Sequence, residues 1–212
     1  MFDHDSKGIV FSAVQMPIKK LGLNFCLNRS TKLYYCVNPI FKDSEVPSSG
    51  SAYLTCLNEG DFMGMQPRFS DDYKKLAFFG STNKFITHSG NYQLKTLPWP
   101  FMPGTAPKVV IDYFPDYPKE TDTFCGLFGY NLTYTPCRFL KGSSRFYLLQ
   151  SEFKGQGRVY IVDLENGQLK WIGSNSGRTG NFSLIHSDGS LAVIGYSSIK
   201  EPPKVFLYAF SG

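Results

Sequence analysis

The chain has 212 residues, enough for one sizeable hydrophobic core or two small ones. It carries 19 Phe and 13 Tyr, and its 20 Gly and 13 Pro are spread as turn formers, a composition that favours strands over long helices. The net charge is +5, from 22 basic and 17 acidic residues, and the basic residues are scattered along the chain. The charge therefore predicts neither a nucleic-acid nor a membrane partner.

The N-terminus and the cysteines predict a soluble protein of a reducing compartment. The apolar stretch after residues 1–7 is too short for a signal peptide or a membrane span. Three Asn-x-Ser/Thr glycosylation motifs, at Asn28, Asn131 and Asn181, are weak evidence for secretion because no signal peptide is predicted. We expect a cytoplasmic location. The cysteines form no Cys-x-x-Cys pair, and their odd number leaves at least one thiol unpaired in a monomer: Cys26, Cys36, Cys56, Cys125 and Cys137.

In chain order, the first apolar segments predict three successive strands of one antiparallel sheet. Residues 8–14 form a short apolar run, residues 21–27 a second, and residues 32–37 a third. The polar stretch 28–31 separates the last two and suits a turn.

Three later segments share a hairpin pattern of short strand, polar turn and apolar strand. They are residues 67–79, 137–149 and 182–194. In the first, Ser70, Asp71 and Asp72 have side chains that can bond to the backbone of a tight turn. We predict a hairpin in each segment, and the recurrence indicates a structural repeat.

A further strand follows the later hairpins, at residues 158–164 and 204–210, and both resemble residues 32–37. The spacing suits units of about 40–50 residues, as in propeller blades. An Asn-Gly corner within residues 165–168 leads into residues 169–172, as expected for the outer hairpin of a blade. We predict an all-β fold: a partial β-propeller of about three to five four-stranded antiparallel blades.

Residues 82–136 interrupt this rhythm, and six prolines cut the segment into short pieces: Pro98, Pro100, Pro103, Pro107, Pro115 and Pro118. A linker between two domains would explain them, but the aromatic residues of the segment favour a packed, irregular, Pro-rich insertion: Tyr92, Trp99, Phe101, Tyr113, Phe114 and Tyr117. We therefore expect residues 1–212 to form a single propeller-type domain, an incomplete ring of blades.

The sequence predicts no catalytic residues. A nucleophile elbow requires Gly-x-Ser-x-Gly, and residues 173–177 come nearest but have their serines one position off. The candidate bases are His4, His88 and His186, but adjacency to Ser and Asp in sequence does not assemble a triad. The cysteines, Trp99 and Trp171 are expected to pack in the core or at its rim. No metal site or cofactor is predicted, because no two Cys or His ligands have close spacing.

Several segments resemble the propeller of acylaminoacyl peptidases. The stretch from Gly8 to Tyr35 is similar in its apolar strand, its Leu21-Gly22 pair, its turn Cys26-Leu27-Asn28-Arg29 and its aromatic strand. Residues 67–72 resemble the family's Pro-Arg-Leu-Ser-Pro-Asp turn, with Asp71 in place of Pro. Residues 197–205 are similar to the end of its last blade. The resemblance spans most of the chain in order.

The resemblance implies a serine peptidase of the prolyl oligopeptidase group, in which a propeller filters access to a C-terminal α/β-hydrolase domain. The chain would be a non-catalytic part of that propeller, with the hydrolase domain as its partner and short N-acylated peptides as substrates of the parent enzyme. An incomplete ring exposes an apolar flank, which predicts self-association as a homo-oligomer. The alternative is a free-standing propeller-like module that binds proteins or peptides without enzymatic activity.

Overall fold

The structure is a computed structural model, which describes residues 8–14, 30–37, 54–82, 91–114, 124–128, 138–153, 155–173 and 176–210. Fifteen β-strands lie in these ranges, and no α-helix does. None of the described residues forms a helix that is long and apolar enough to cross a membrane.

The strands form four successive sheets of mainly antiparallel strands, named here the first to the fourth sheet. The first sheet contains β1 (Gly8–Val14), β2 (Thr31–Val37) and β3 (Leu54–Cys56). The second contains β4 (Met63–Phe69), β5 (Lys75–Ser81), β6 (Asn91–Pro98) and β7 (Lys108–Ile111), and β8 (Leu127–Phe128) also pairs with β6. The third contains β9 (Arg138–Phe139), β10 (Phe146–Phe153), β11 (Gln156–Asp163) and β12 (Leu169–Trp171). The fourth contains β13 (Asn181–Ser187), β14 (Leu191–Ser197) and β15 (Lys204–Ala209).

The second and third sheets are four-stranded meanders in chain order, the arrangement of a propeller blade. Among the described strands, the ladder between the first and second sheets consists of one parallel pairing, Thr31 with Met63. All three predicted hairpins are confirmed, as β4–β5, β9–β10 and β13–β14. The first and third predicted strands pair as β1 and β2, whereas residues 21–27 lie outside the described residues.

Among the described residues, three hydrophobic clusters lie between consecutive sheets. The second and third sheets bury both of their faces, since successive side chains of a strand point to opposite faces. In β5, Leu76 and Phe78 pack toward the first sheet, while Ala77 and Phe79 pack toward the third. In β10, Leu148 belongs to the cluster between the third and fourth sheets. Sheets that stack face to face in this way confirm the predicted propeller-type fold.

The hairpin turns of successive sheets contact one another. The backbone N–H of Gly142, in the β9–β10 turn, donates to Oδ2 of Asp71 in the β4–β5 turn at 2.9 Å. The backbone N–H of Lys141 donates to the carbonyl of Gly189, in the β13–β14 turn, at 2.9 Å. The three turns therefore lie side by side, and Asp71, which replaces the proline of the resembling motif, supplies one of the contacts between blades.

The segment predicted as an irregular insertion, residues 82–136, differs in part from that expectation. It contains β6, which pairs with β5 over residues 91–98 and buries six consecutive residues. It also contains β7 and β8. Its N-terminal half thus completes the second blade, because the prolines fall at or after the end of β6 and leave its ladder intact.

Candidate functional site

The candidate triad residues do not assemble around the one histidine that lies in the described ranges. His186 is exposed in β13. Ser187 Oγ beside it donates to the carbonyl of Leu191 at 2.9 Å. Oδ1 of Asp188 accepts from the N–H groups of Ser190 and Leu191, each at 2.8 Å, and these bonds lower the pKa of Asp188 to about 2. Both side chains thus build the β13–β14 turn.

The other predicted candidates fall into two groups. His4, His88 and Ser174 lie outside the described residues. Ser176 is exposed, and its hydroxyl donates to the carbonyl of Gly173 at 2.8 Å. The expectation that the chain carries no catalytic residues therefore stays a prediction.

Three cysteines lie among the described residues: Cys36, Cys56 and Cys125. Cys125 is buried, as expected for a packed thiol. Cys36 and Cys56 are half-buried, so the full burial expected for Cys36 from its apolar strand is not observed. The reason is that only one face of β2 packs against the core, and Cys36 lies on the other face. Cys26 and Cys137 lie outside the described residues.

Both tryptophans pack against the core, as predicted. Trp99 lies between the rings of Tyr35 and Phe69, at centroid distances of 5.0 and 4.8 Å. Trp171 packs edge-on against Phe182, and the guanidinium of Arg158 lies 4.3 Å from the Trp171 ring centroid.

A cavity of about 470 Å³, lined by both polar and apolar groups, lies between the first and second sheets; we call it the junction cavity. One wall is the turn from Asn58 to Asp61, where the N–H of Asp61 donates to the carbonyl of Asn58 at 3.0 Å. The opposite wall is the loop of residues 101–107, and Lys95 and Leu97 of β6 complete the lining. This is a concave site of the size that small ligands occupy.

A buried ion pair lies at the wall of the junction cavity. The ammonium of Lys95 donates to Oδ1 of Asp61, and the two side chains are 8% and 4% exposed. Lys32 adds a second cation, whose Nζ donates to the backbone carbonyl of Asp61 and, at 3.0 Å, to that of Glu59. Burial of a charge is tolerated only when it is paired, so the turn 58–61 and β6 hold each other in place.

Nearby, the pKa of Asp112 is lowered, first by the side chain of Gln93, which donates to Oδ1 of Asp112 at 2.6 Å, and also by Lys95. The sequence reasoning missed this site, because it treated the segment containing Lys95 as irregular. The available signal was the alternation in residues 92–97, which marks a strand with Gln93 and Lys95 on one face.

A second, apolar cavity of about 210 Å³ lies between the third and fourth sheets. Trp171, Phe182 and Phe206 are among the residues that line it, with Arg178 at its edge. The opposite face of the fourth sheet has no sheet packed on it among the described residues. Four apolar residues of this face are exposed by 43% to 74%: Ile185, Leu191, Val205 and Leu207. We call these four residues the exposed apolar face.

Among the described residues, no group of three His, Cys, Asp or Glu side chains could hold a metal ion. The lining of the junction cavity offers hydrogen-bonding groups, such as Lys95, beside apolar side chains, such as Leu97.

Comparison with known proteins supports the resemblance seen in the sequence. Residues 2–211 match the family model described as the N-terminal domain of acylamino-acid-releasing enzyme. Acylamino-acid-releasing enzyme 1 from Oryza sativa subsp. japonica is 29% identical in an alignment of 89 residues that covers 39% of this chain and 12% of the rice protein. The matched segment is thus a small part of that protein.

Among solved structures, TolB from Acinetobacter baumannii is similar over 97% of this chain and 39% of its own, with 16% identity and a TM-score of 0.51. At this identity the likeness concerns the propeller fold alone. Prolyl oligopeptidase B from Galerina marginata matches over 99% of this chain and 31% of its own, with 12% identity and a TM-score of 0.39, too low to support a further statement. Because the family model covers nearly the whole sequence, the chain belongs to the acylamino-acid-releasing enzyme N-terminal domain family.

Proposed function

We propose that the chain is a non-catalytic propeller part of an acylaminoacyl-peptidase-like serine peptidase. In this role it docks with an α/β-hydrolase domain and limits the size of the peptides that reach it. The observation that carries the proposal is the match of residues 2–211 to the N-terminal domain family, together with blade-like sheets stacked face to face. Short N-acylated peptides are the proposed substrates of the parent enzyme, which we place in the cytoplasm.

The test compares the chain alone with the chain plus the separately produced hydrolase domain of an acylamino-acid-releasing enzyme. We expect no turnover of an acetyl-alanyl chromogenic substrate by the chain alone. With the hydrolase domain present, we expect co-sedimentation and a loss of activity on long N-acetylated peptides relative to short ones. A hydrolase domain with its nucleophilic Ser replaced by Ala controls for contaminating peptidases. Turnover by the chain alone would contradict the proposal, and so would unchanged size selectivity when the active hydrolase domain is present.

The exposed apolar face favours a second candidate, a free-standing interaction module that binds a protein or peptide. Ile185, Leu191, Val205 and Leu207 project from it to solvent. The same co-sedimentation experiment separates the two functions, because a free-standing module would not bind the hydrolase domain.

A further inference from the structure

The fourth sheet has one strand fewer than the third sheet. The third sheet continues from β11 to a short outer strand, β12, whereas β15 is the last strand of the fourth sheet in the described part of the chain. Val205 and Leu207 of β15 are 67% and 74% exposed. The outer edge of β15 is therefore open, and an open strand edge can pair with a further strand.

The register of β15 shows which of its backbone groups face this outer edge. The N–H of Phe210 donates to the carbonyl of Ser190, directly opposite in the register, at 2.9 Å. Hydrogen-bonded and non-hydrogen-bonded pairs alternate along an antiparallel ladder, so Phe206 also bonds to β14. Val205 and Leu207 occupy the alternate positions, and their N–H and C=O groups therefore point away from β14 to the open edge.

The apolar cavity between the third and fourth sheets opens at the same edge. Its lining includes Phe206 and Leu207, whose side chains project from opposite faces of β15, so the cavity reaches the edge of the strand. The facing wall comes from Trp171 and the residues after β12. Its volume of about 210 Å³ is below the roughly 300–1,000 Å³ of small-molecule sites, so it suits a single apolar side chain.

Basic side chains border the cavity along this edge. The Arg178 guanidinium lies 4.9 Å from the Phe206 ring centroid, and Lys204 lies two residues before Phe206 on the same face of β15. Both cations share one carboxylate, since Lys204 donates to Oε2 of Glu201 and Nε of Arg178 lies 3.9 Å from the same oxygen. One carboxylate does not neutralise two cations, so this end of the edge favours an acidic ligand.

From these features we propose that the outer edge of β15 binds an extended acidic peptide as an added antiparallel strand. The peptide residue opposite Phe206 places an aromatic side chain in the cavity, because opposite residues project from the same face. Its two neighbours exchange backbone hydrogen bonds with Val205 and Leu207, and their apolar side chains extend the exposed apolar face. The next residues on the cavity side are acidic and lie near the cations.

This inference goes beyond the proposed function and is independent of it, since it rests only on β15 and the cavity beside it. A failure to bind the peptide would leave the docking of a hydrolase domain untouched, and the reverse also holds.

The first test measures binding of acetyl-Glu-Val-Phe-Val-Glu-amide to the ¹⁵N-labelled 212-residue chain by NMR. At saturation, we expect hydrogen exchange of the Val205 and Leu207 amides to slow by about tenfold or more, because the added strand bonds to them. The Phe206 amide already bonds to β14 and should change little. If millimolar peptide does not bind, or if the Val205 and Leu207 amides keep their exchange rates in the complex, the proposal is wrong.

Two N-methylated peptides test the strand register. Methylation of the first valine removes an N–H that bonds to β15, whereas methylation of the phenylalanine removes an N–H that points to solvent. We expect the first change to weaken binding by about tenfold or more and the second to have little effect. Any other order of affinities would overturn the proposed pairing.

A matched pair of variants tests the acidic preference, measured as the affinity ratio of the Glu peptide to the same peptide with both Glu replaced by Gln. Arg178→Gln should lower this ratio by about threefold. Lys141→Gln removes the same charge at an exposed position of the β9–β10 turn and should leave it unchanged. Equal affinity of the unaltered chain for the two peptides would overturn the acidic assignment. Peptide affinity that falls as the protein concentration rises would mean that a second copy occupies the edge instead.

Discussion

The third strands of the second and fourth sheets, β6 and β15, have the same place in their meanders but opposite surroundings. β6 is covered by β7 and β8 at its edge, packs against neighbouring sheets on both faces, and buries six consecutive residues. β15 is an edge strand with four exposed residues in six. The burial of a strand in this fold is therefore decided by the neighbouring blades more than by the strand's own sequence.

The ion pairs of the two strands provide the sharpest test of this contrast. Lys95 of β6 pairs with Asp61 in the interior, whereas Lys204 of β15 pairs with Glu201 where the side chains are 40% and 34% exposed. Lys95→Met leaves a buried carboxylate unpaired, so we expect it to lower the free energy of unfolding by about 3–5 kcal/mol. Lys204→Met should lower the free energy of unfolding by less than about 1 kcal/mol. Urea denaturation followed by tryptophan fluorescence measures both.

An equal decrease in the free energy of unfolding for the two lysine variants would contradict the prediction, because it would mean that water reaches Asp61 freely. Replacing both Lys95 and Asp61 by apolar residues should recover part of the loss, because the expensive state is the single unpaired charge.

Leucines of the two strands provide a second comparison, in which the substitutions do not change the charge of the protein. Leu94 of β6 is fully buried in the cluster between the second and third sheets, and Leu207 of β15 is 74% exposed. We expect Leu94→Ala to lower the free energy of unfolding by about 2–5 kcal/mol, since it leaves a cavity. Leu207→Ala should change it by no more than about 0.5 kcal/mol. The same urea titration applies, and similar costs at the two sites would show that the exposed apolar face is covered in solution.

The exposed apolar face also predicts self-association of the chain. Contact between two copies would bury Leu207, and burial of a Leu side chain contributes about 1.5–3 kcal/mol. We therefore expect Leu207→Lys to weaken the association about tenfold or more in sedimentation at micromolar concentration. Gln168→Lys adds the same charge at an exposed position of the third sheet and should have no such effect. A monodisperse monomer of the unaltered chain would contradict the prediction.

The parts of the fold that sequence predicted well are those that local chemistry decides. The β4–β5 hairpin is predictable because Ser70 and Asp72 bond to the backbone within their own turn. Asp188 bonds in the same way within the β13–β14 turn. The Asn-Gly turn between β11 and β12 is also determined by its own sequence. Gly167 has a φ of 75°, a conformation that suits glycine.

The parts that could not be predicted depend on residues distant in sequence. β6 looked irregular because prolines follow it, yet its ladder with β5 is intact and its Lys95 is buried by Asp61, 34 positions away. The contact of Asp71 with Gly142 joins turns 71 positions apart. The junction cavity also depends on such contacts, since its walls come from the turn 58–61, from β6 and from the loop 101–107.

The smallest expected effect concerns the turn of the fourth sheet, and it depends on pH. Hydrogen bonds to the Asp188 carboxylate lower its pKa from 3.8 to about 2 in the folded chain. A lowered pKa means that ionised Asp188 stabilises the turn above pH 4, and that this contribution is lost as the pH falls toward 2. NMR titration of the Asp188 carboxyl carbon should therefore give a midpoint near 2, with the amide signals of Ser190 and Leu191 changing together with it.

Asp188→Asn provides the control, because an amide oxygen can still accept from both N–H groups but does not titrate in this range. In that variant the Ser190 and Leu191 signals should stay constant between pH 4 and pH 2. A midpoint near 4 in the unaltered chain would mean that the hydrogen bonds to Asp188 do not persist in solution. The β13–β14 turn would then be held by its backbone bonds and by Ser187 alone.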